Sequence, residues 1–131
     1  MALIAEDLRA LAPCASKPLD EHLASPVDEL VAERYLERII GRLIDVNYHV
    51  LIESGRAPPR DCHDSFARMG ALGVCDAAFA RRSAGCDGLR NRIVHEYDAI
   101  DPARVHAALD AALRDIPDFL RRVDAFVTAR Q

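Results

Sequence analysis

One stretch of this chain concentrates groups that can move protons and hold phosphate: Gly88-Leu89-Arg90-Asn91-Arg92-Ile93-Val94-His95-Glu96-Tyr97-Asp98. An imidazole titrates close to neutrality. His95 could therefore take a proton from a 2′-hydroxyl or return one to a departing 5′-oxygen. A fixed guanidinium such as Arg90 could grip a scissile phosphate and stabilise the charge it gains. The 2′-hydroxyl of RNA is itself the nucleophile, so no serine, cysteine or metal is required. That route yields a 2′,3′-cyclic phosphate and a 5′-hydroxyl.

Helix geometry constrains the idea. At 100° per residue, Arg90 and His95 stand about 140° apart on a regular helix. Asn91 and His95 share a face, as do Arg90, Val94 and Tyr97. Three arrangements reconcile the pair: a helix that ends or distorts near His95, an Arg90 that reaches around, or two copies meeting across a dimer axis. The dimer is favoured because it also doubles the local arginines, Arg90 and Arg92. The plainer alternative is a polar, hydrogen-bonded helix end.

The elements that must carry this segment read as helices throughout. Half the 131 residues are apolar, threonine occurs once, tryptophan is absent and aromatics are 5%. Unbranched side chains lose little rotamer freedom in a helix, so the bias favours an all-α core of Leu, Ile, Val and Ala. A first helix over 2–12 carries Leu3, Ile4, Leu8 and Leu11, with Pro13 expected to stop it. A connector over 13–25 has room for one turn near 19–24. Ser25-Pro26-Val27-Asp28 combines a cap, a proline suited to the first helical position and an acid on the dipole. It predicts a long helix to about residue 54, with Val27, Leu30, Val31, Ile39, Ile40, Leu43, Ile44, Val46, Val50 and Leu51 on its apolar side. Gly55 and Pro58-Pro59 end it.

Shorter helices are expected over 61–69, bounded by Gly70 and Gly73, over 74–84, and from Gly88. Asp101-Pro102 opens a last helix to about residue 129, kinked at Pro117. Nothing reads as a strand or an interdomain linker. The expectation is one domain over residues 1–131, an up-and-down bundle of two long helices with shorter ones between.

The net charge is −4. An acidic chain lacks the overall basic footprint that nucleic-acid binders carry, so RNA contact requires local positive charge. The doublets Arg81-Arg82 and Arg121-Arg122 are candidates, though most such doublets are plain surface. Asp45 and His49, four apart on the long helix, share a face with Arg38 and Arg42 and could position His95 or RNA; a solvated or internally paired face fits as well. Tyr35 and Tyr48 read as packing, and His22, His63 and His106 as scattered. Cys14, Cys62, Cys75 and Cys86 lack CxxC spacing and read as reduced, mostly buried thiols. No apolar run reaches the length of a membrane span, and the acidic N-terminus is unlike a signal peptide. A cytoplasmic location is expected.

The string Arg90-Asn91-x3-His95-x-Tyr97 resembles the Arg-x4-6-His motif of HEPN ribonucleases and, more narrowly, the Arg-x4-His-x-Tyr signature of HepT-like toxins. Tyr35-Leu36-Glu37-Arg38-Ile39-Ile40 with Ile44-Asp45 and His49, then Pro58-Pro59-Arg60-Asp61, Phe66 and Leu72-Gly73-Val74, extend the resemblance over residues 27–125. It implies a HEPN-like helical fold and a homodimeric, metal-independent endoribonuclease without cofactors, the toxin of a type VII-like toxin–antitoxin system. Arg90 and His95 would be catalytic, with Asn91 and Tyr97 in support. It also implies a minimal nucleotidyltransferase antitoxin that silences the toxin by AMPylating Tyr97. A phosphate ester there would set negative charge beside Arg90. The alternative is a non-catalytic helical dimer that docks such a partner.

Overall fold

The computed structural model describes residues 1–84 and 101–130, and every described element is helical. In chain order these are α1 (Ala2–Ala15), α2 (Leu19–Leu23), α3 (Pro26–Glu53), α4 (Cys62–Leu72), α5 (Ala77–Ala84) and α6 (Pro102–Ala129). The fold is an all-α bundle built on two 28-residue helices, α3 and α6.

Local chemistry sets most boundaries. Ser25 Oγ accepts from the Asp28 backbone N–H at 3.3 Å and opens α3 ahead of Pro26. Asp101 Oδ1 accepts from the Ala103 N–H at 3.0 Å and opens α6 ahead of Pro102. Both satisfy donors that a helix start leaves orphaned. At the far end of α3, Gly55 takes φ +75°. Its N–H donates to the Ile52 carbonyl and the Arg56 N–H donates to the Leu51 carbonyl, so the left-handed residue closes the helix.

Other boundaries differ from expectation. Pro13 does not stop α1, which continues to Ala15. The proline lies on the exposed side, and Cys14 and Ala15 beyond it are buried with Ile4, Leu8 and Leu11. Arg9, whose carbonyl the proline leaves without a helical donor, is an exposed residue, while burial of Cys14 and Ala15 holds the last turn. Gly70 is no boundary either. It lies inside α4, where a Cβ would come 2.9 Å from the Ala80 Cβ, so its bare backbone is what lets α5 approach. Gly73 closes α4 at φ +89°. The next helix starts at Ala77 rather than Val74, since Asp76 Oδ1 caps it from the Phe79 N–H at 2.7 Å. Val27 and Leu30, expected on the apolar side of α3, are exposed, because no described element covers the first turns of that face.

The core joins Ile4, Leu8 and Leu11 of α1 to Leu36, Ile39, Ile40 and Leu43 of α3 and to Val105, Leu109 and Phe119 of α6. α1 packs against both long helices, which also touch each other. Phe79 stacks on Phe119 with ring centroids 5.2 Å apart and planes 7° from parallel, and Phe66 lies 6.2 Å from the same ring. That trio ties α4 and α5 to α6. Among the described residues, no helix is long and apolar enough to cross a membrane.

Candidate functional site

Arg90, Asn91, His95 and Tyr97, with Arg92 and Cys86, lie outside the described residues. The elements that bracket them are described. α5 ends at Ala84 and α6 begins at Asp101. Near the end of α5, Arg82 reaches α6, with its Nε 3.9 Å from Asp115 Oδ2; the Arg114 Nε stands 3.4 Å from Asp115 Oδ1. A cleft of about 170 Å³ opens between α3, α4, α5 and α6, with Leu36, Ile40, Phe66, Phe79, Arg82 and Asp115 among its lining. Its walls are mostly apolar and its charge comes from the Arg82, Arg114 and Asp115 group.

Asp45 and His49 both fall on α3 with exposed side chains. Arg38 and Arg42, expected on the same face, turn instead to α1. Arg42 Nη1 donates to Asp7 Oδ2 at 3.0 Å and to the Leu3 carbonyl at 3.1 Å, and Arg38 Nη2 stands 3.3 Å from Asp7 Oδ1. Asp7 is 4% exposed. These two guanidiniums satisfy a buried carboxylate and clamp α1 to α3, so the Asp45–His49 face does not draw on them. Asp7 carried a signal in the sequence: it follows Ile4 by three residues and precedes Leu11 by four, inside the apolar stripe.

His22 and His106, which looked scattered, come together. Their ring centroids are 5.1 Å apart, His22 is fully buried, and His106 Nε2 lies 2.7 Å from the Lys17 carbonyl oxygen. The contact fixes the start of α6 to the α1–α2 connector. Nearby, Lys17 forms an ion pair and hydrogen bond with Asp28. That bond holds the Asp28 carboxyl below the usual aspartate range and raises the Lys17 ammonium. Burial pushes the Cys14 and Cys75 thiols up, so neither serves as a ready thiolate. Cys62 is half-buried. Tyr35 and Tyr48 pack against the core, and the Tyr48 hydroxyl donates to the Pro59 carbonyl at 3.3 Å. Among the described residues, no group of three or more His, Cys, Asp or Glu could hold a metal ion.

Charge is unevenly spread. Residues 1–53 hold ten acids and five bases, whereas residues 54–84 hold three acids and five bases. The doublet Arg121-Arg122 is partly neutralised by Asp118, with contacts of 3.4 and 2.9 Å. The cationic excess therefore falls in the segment that carries α4 and α5, which precedes residues 85–100 in the chain.

Comparison with known proteins bears on the same span. A family model described as Ribonuclease HepT-like matches residues 4–123. A curated relative, described as a tRNA nuclease HepT from Aphanizomenon flos-aquae (strain 2012/KM1/D3), is 35% identical over 111 residues. The match covers 83% of this chain and 74% of that protein.

Proposed function

The chain belongs to the HepT-like ribonuclease family, and from that premise we propose that it is a toxin endoribonuclease of the HEPN type, cutting RNA at a site built on Arg90 and His95. The observation that carries this reading is the Arg90-Asn91-x3-His95-x-Tyr97 string, which falls inside the span that the family model matches. The relative's description makes tRNA the first substrate to test.

In the proposed reaction the 2′-oxygen attacks phosphorus and the bond from phosphorus to the 5′-oxygen breaks. The products are a 2′,3′-cyclic phosphate and a free 5′-hydroxyl. His95 transfers the proton and Arg90 bears the growing charge on the phosphoryl oxygens. No step calls for a metal or cofactor. Asn91 supports His95, and Asp45 and His49 help position RNA. A homodimer supplies both copies of the segment to a composite site, and the protein works in the cytoplasm. A minimal nucleotidyltransferase antitoxin silences it by transferring AMP to the Tyr97 hydroxyl. The added phosphate sits where substrate phosphate would meet Arg90.

Cleavage of a tRNA by the purified chain in EDTA tests this. Wild-type protein should release fragments ending in a cyclic phosphate. Arg90→Ala and His95→Ala, each with unchanged helicity, should lose at least ~10²-fold in rate. Cleavage that persists in both variants removes the site assignment, and cleavage that stops in EDTA removes metal independence. The acidic charge of the chain favours a second reading, a helical dimer that only docks a nucleotidyltransferase. A stable complex whose freed dimer leaves RNA intact would select it. For silencing, the mass of the partner-treated chain should rise by one or more AMP units, and Tyr97→Phe should escape.

A further inference from the structure

The most exposed large apolar side chains of the described residues are Val27 (68%) and Leu30 (66%), side by side on the first turns of α3. Leu19 and Leu23, one turn apart on α2, are 41% and 45% exposed. These four make up half of the exposed large hydrophobics among the described residues, and they fall within twelve positions. Single exposed leucines are ordinary; four exposed apolar side chains on two successive elements that pack together point to an interaction surface. α2 is anchored below it by the fully buried His22, so the apolar side chains are presented from a fixed base.

The charges around this cluster identify what it fits. Asp20, Glu21, Glu29 and Glu33 enter no salt bridge among the described residues, whereas Arg34 is held by Glu37 at 3.2 Å and Lys17 by Asp28. Burial pushes the Glu33 carboxyl up, and the charge of Glu29 pushes it the same way. Two carboxylates crowd one another on the flank of Leu30, and a cation brought between them would relieve both. Phosphodiester backbone is repelled by such a face. A second copy docked through the same face would bring the same unpaired carboxylates to the rim, while the nearby bases Lys17 and Arg34 are already paired with Asp28 and Glu37. A protein surface with an apolar ridge and basic side chains around it complements both properties, and arginine is enriched at such interfaces.

We infer that α2 and the first turns of α3 form the docking face for a protein partner presenting apolar side chains ringed by arginine and lysine. The inference rests on the reading that a nucleotidyltransferase holds the chain in check, and makes that protein the occupant. The variants below leave Arg90 and His95 unchanged, so binding and cleavage are measured separately.

The test uses the full chain and the purified minimal nucleotidyltransferase of the proposed pair. The variants are Val27→Ser/Leu30→Ser, Glu29→Lys/Glu33→Lys and the milder Glu29→Gln/Glu33→Gln. All change side chains in or near solvent, and circular dichroism checks that each folds. The serine and lysine pairs should raise Kd at least ~10-fold. The glutamine pair should fall between, and salt should weaken the wild-type complex more than the lysine variant. RNA cleavage by the free chain should stay within about twofold of wild type. Unchanged affinity in the folded variants overturns the docking face while the silenced-toxin reading stands. A fall in oligomeric mass assigns the face to a second copy, and a fall in cleavage assigns it to RNA; either overturns the inference. A wild-type chain that does not bind the nucleotidyltransferase overturns the reading beneath it as well.

Discussion

Asp7 shows how one buried carboxylate can organise its neighbourhood. Its oxygens meet Arg38 and Arg42 from another helix, and Arg42 also holds the Leu3 carbonyl. Removing one member of a buried pair strands the rest, which costs several kcal/mol when all are buried. Here Arg38 and Arg42 keep 41% and 29% of their side-chain surface in water. The expected loss for Asp7→Ala is therefore about 2 kcal/mol, read as a drop in the urea midpoint at unchanged m-value. Titration adds a second expectation. The Asp28 carboxyl is depressed by its Lys17 hydrogen bond, and the Asp64 carboxyl by the Arg60 backbone N–H and side chain. A depressed carboxyl lends stability that is complete above its unfolded pKa and fades as pH falls through the folded one. Melting temperature should thus decline below the ordinary aspartate value of 3.8, and Asp28→Asn should flatten that decline. Glu33 has the opposite sign: its carboxyl is raised by burial, so the ionised form opposes folding at neutral pH. Glu33→Gln should melt higher than wild type at pH 7, and the gap should close in acid.

At the scale of elements, α4 and α5 form the tightest joint. Their contact depends on the missing Cβ of Gly70 opposite Ala80. Alanine at 70 would gain about 1 kcal/mol of helix propensity but collide with a side chain that cannot rotate away. Gly70→Ala should be net destabilising by about 1–2 kcal/mol, and Ala80→Gly in the same chain should recover part of the loss beyond additivity, measured by a double-mutant cycle. The sequence made the long helices plain, because Ser25-Pro26 and Asp101-Pro102 each state a cap and a first helical residue. It hid the end of α1, since Pro13 breaks helices locally while the burial of Cys14 and Ala15 decides the outcome. Gly70 was read as punctuation because a glycine needed for close packing and one needed for a turn look alike until the neighbour is known. Likewise, the 3.6-residue pattern placed Val27 and Leu30 on the apolar side of α3, but periodicity cannot tell which part of a stripe another element covers.

For the whole molecule, α1 is a wedge between α3 and α6, supplying Ile4, Leu8 and Leu11 to a core that both long helices share. A chain lacking residues 2–15 should lose cooperative unfolding and bind a hydrophobic dye, even though α3 and α6 remain, because the apolar side chains that α1 covers on both helices would be left open to water. The candidate chemistry rests on a string of residue types, Arg90 to Tyr97, that lies outside the described residues. What a linear reading could not supply was the surroundings: the Asp7 clamp, which removes Arg38 and Arg42 from the Asp45–His49 face, and the pairing of His22 with His106. Both join side chains far apart in the chain, His106 reaching back 89 residues to Lys17.

That long reach has a consequence for how the protein comes into being. The ribosome makes α1 well before α6, so the earlier helix waits through the synthesis of the elements between them for the surface it must cover. Until Val105, Leu109 and Phe119 emerge from the exit tunnel, the nascent chain has no closed interior on which to mount a working nuclease. Assembly in this order leaves the apolar faces of α1 and α3 uncovered, and open to chaperones, until α6 has been made.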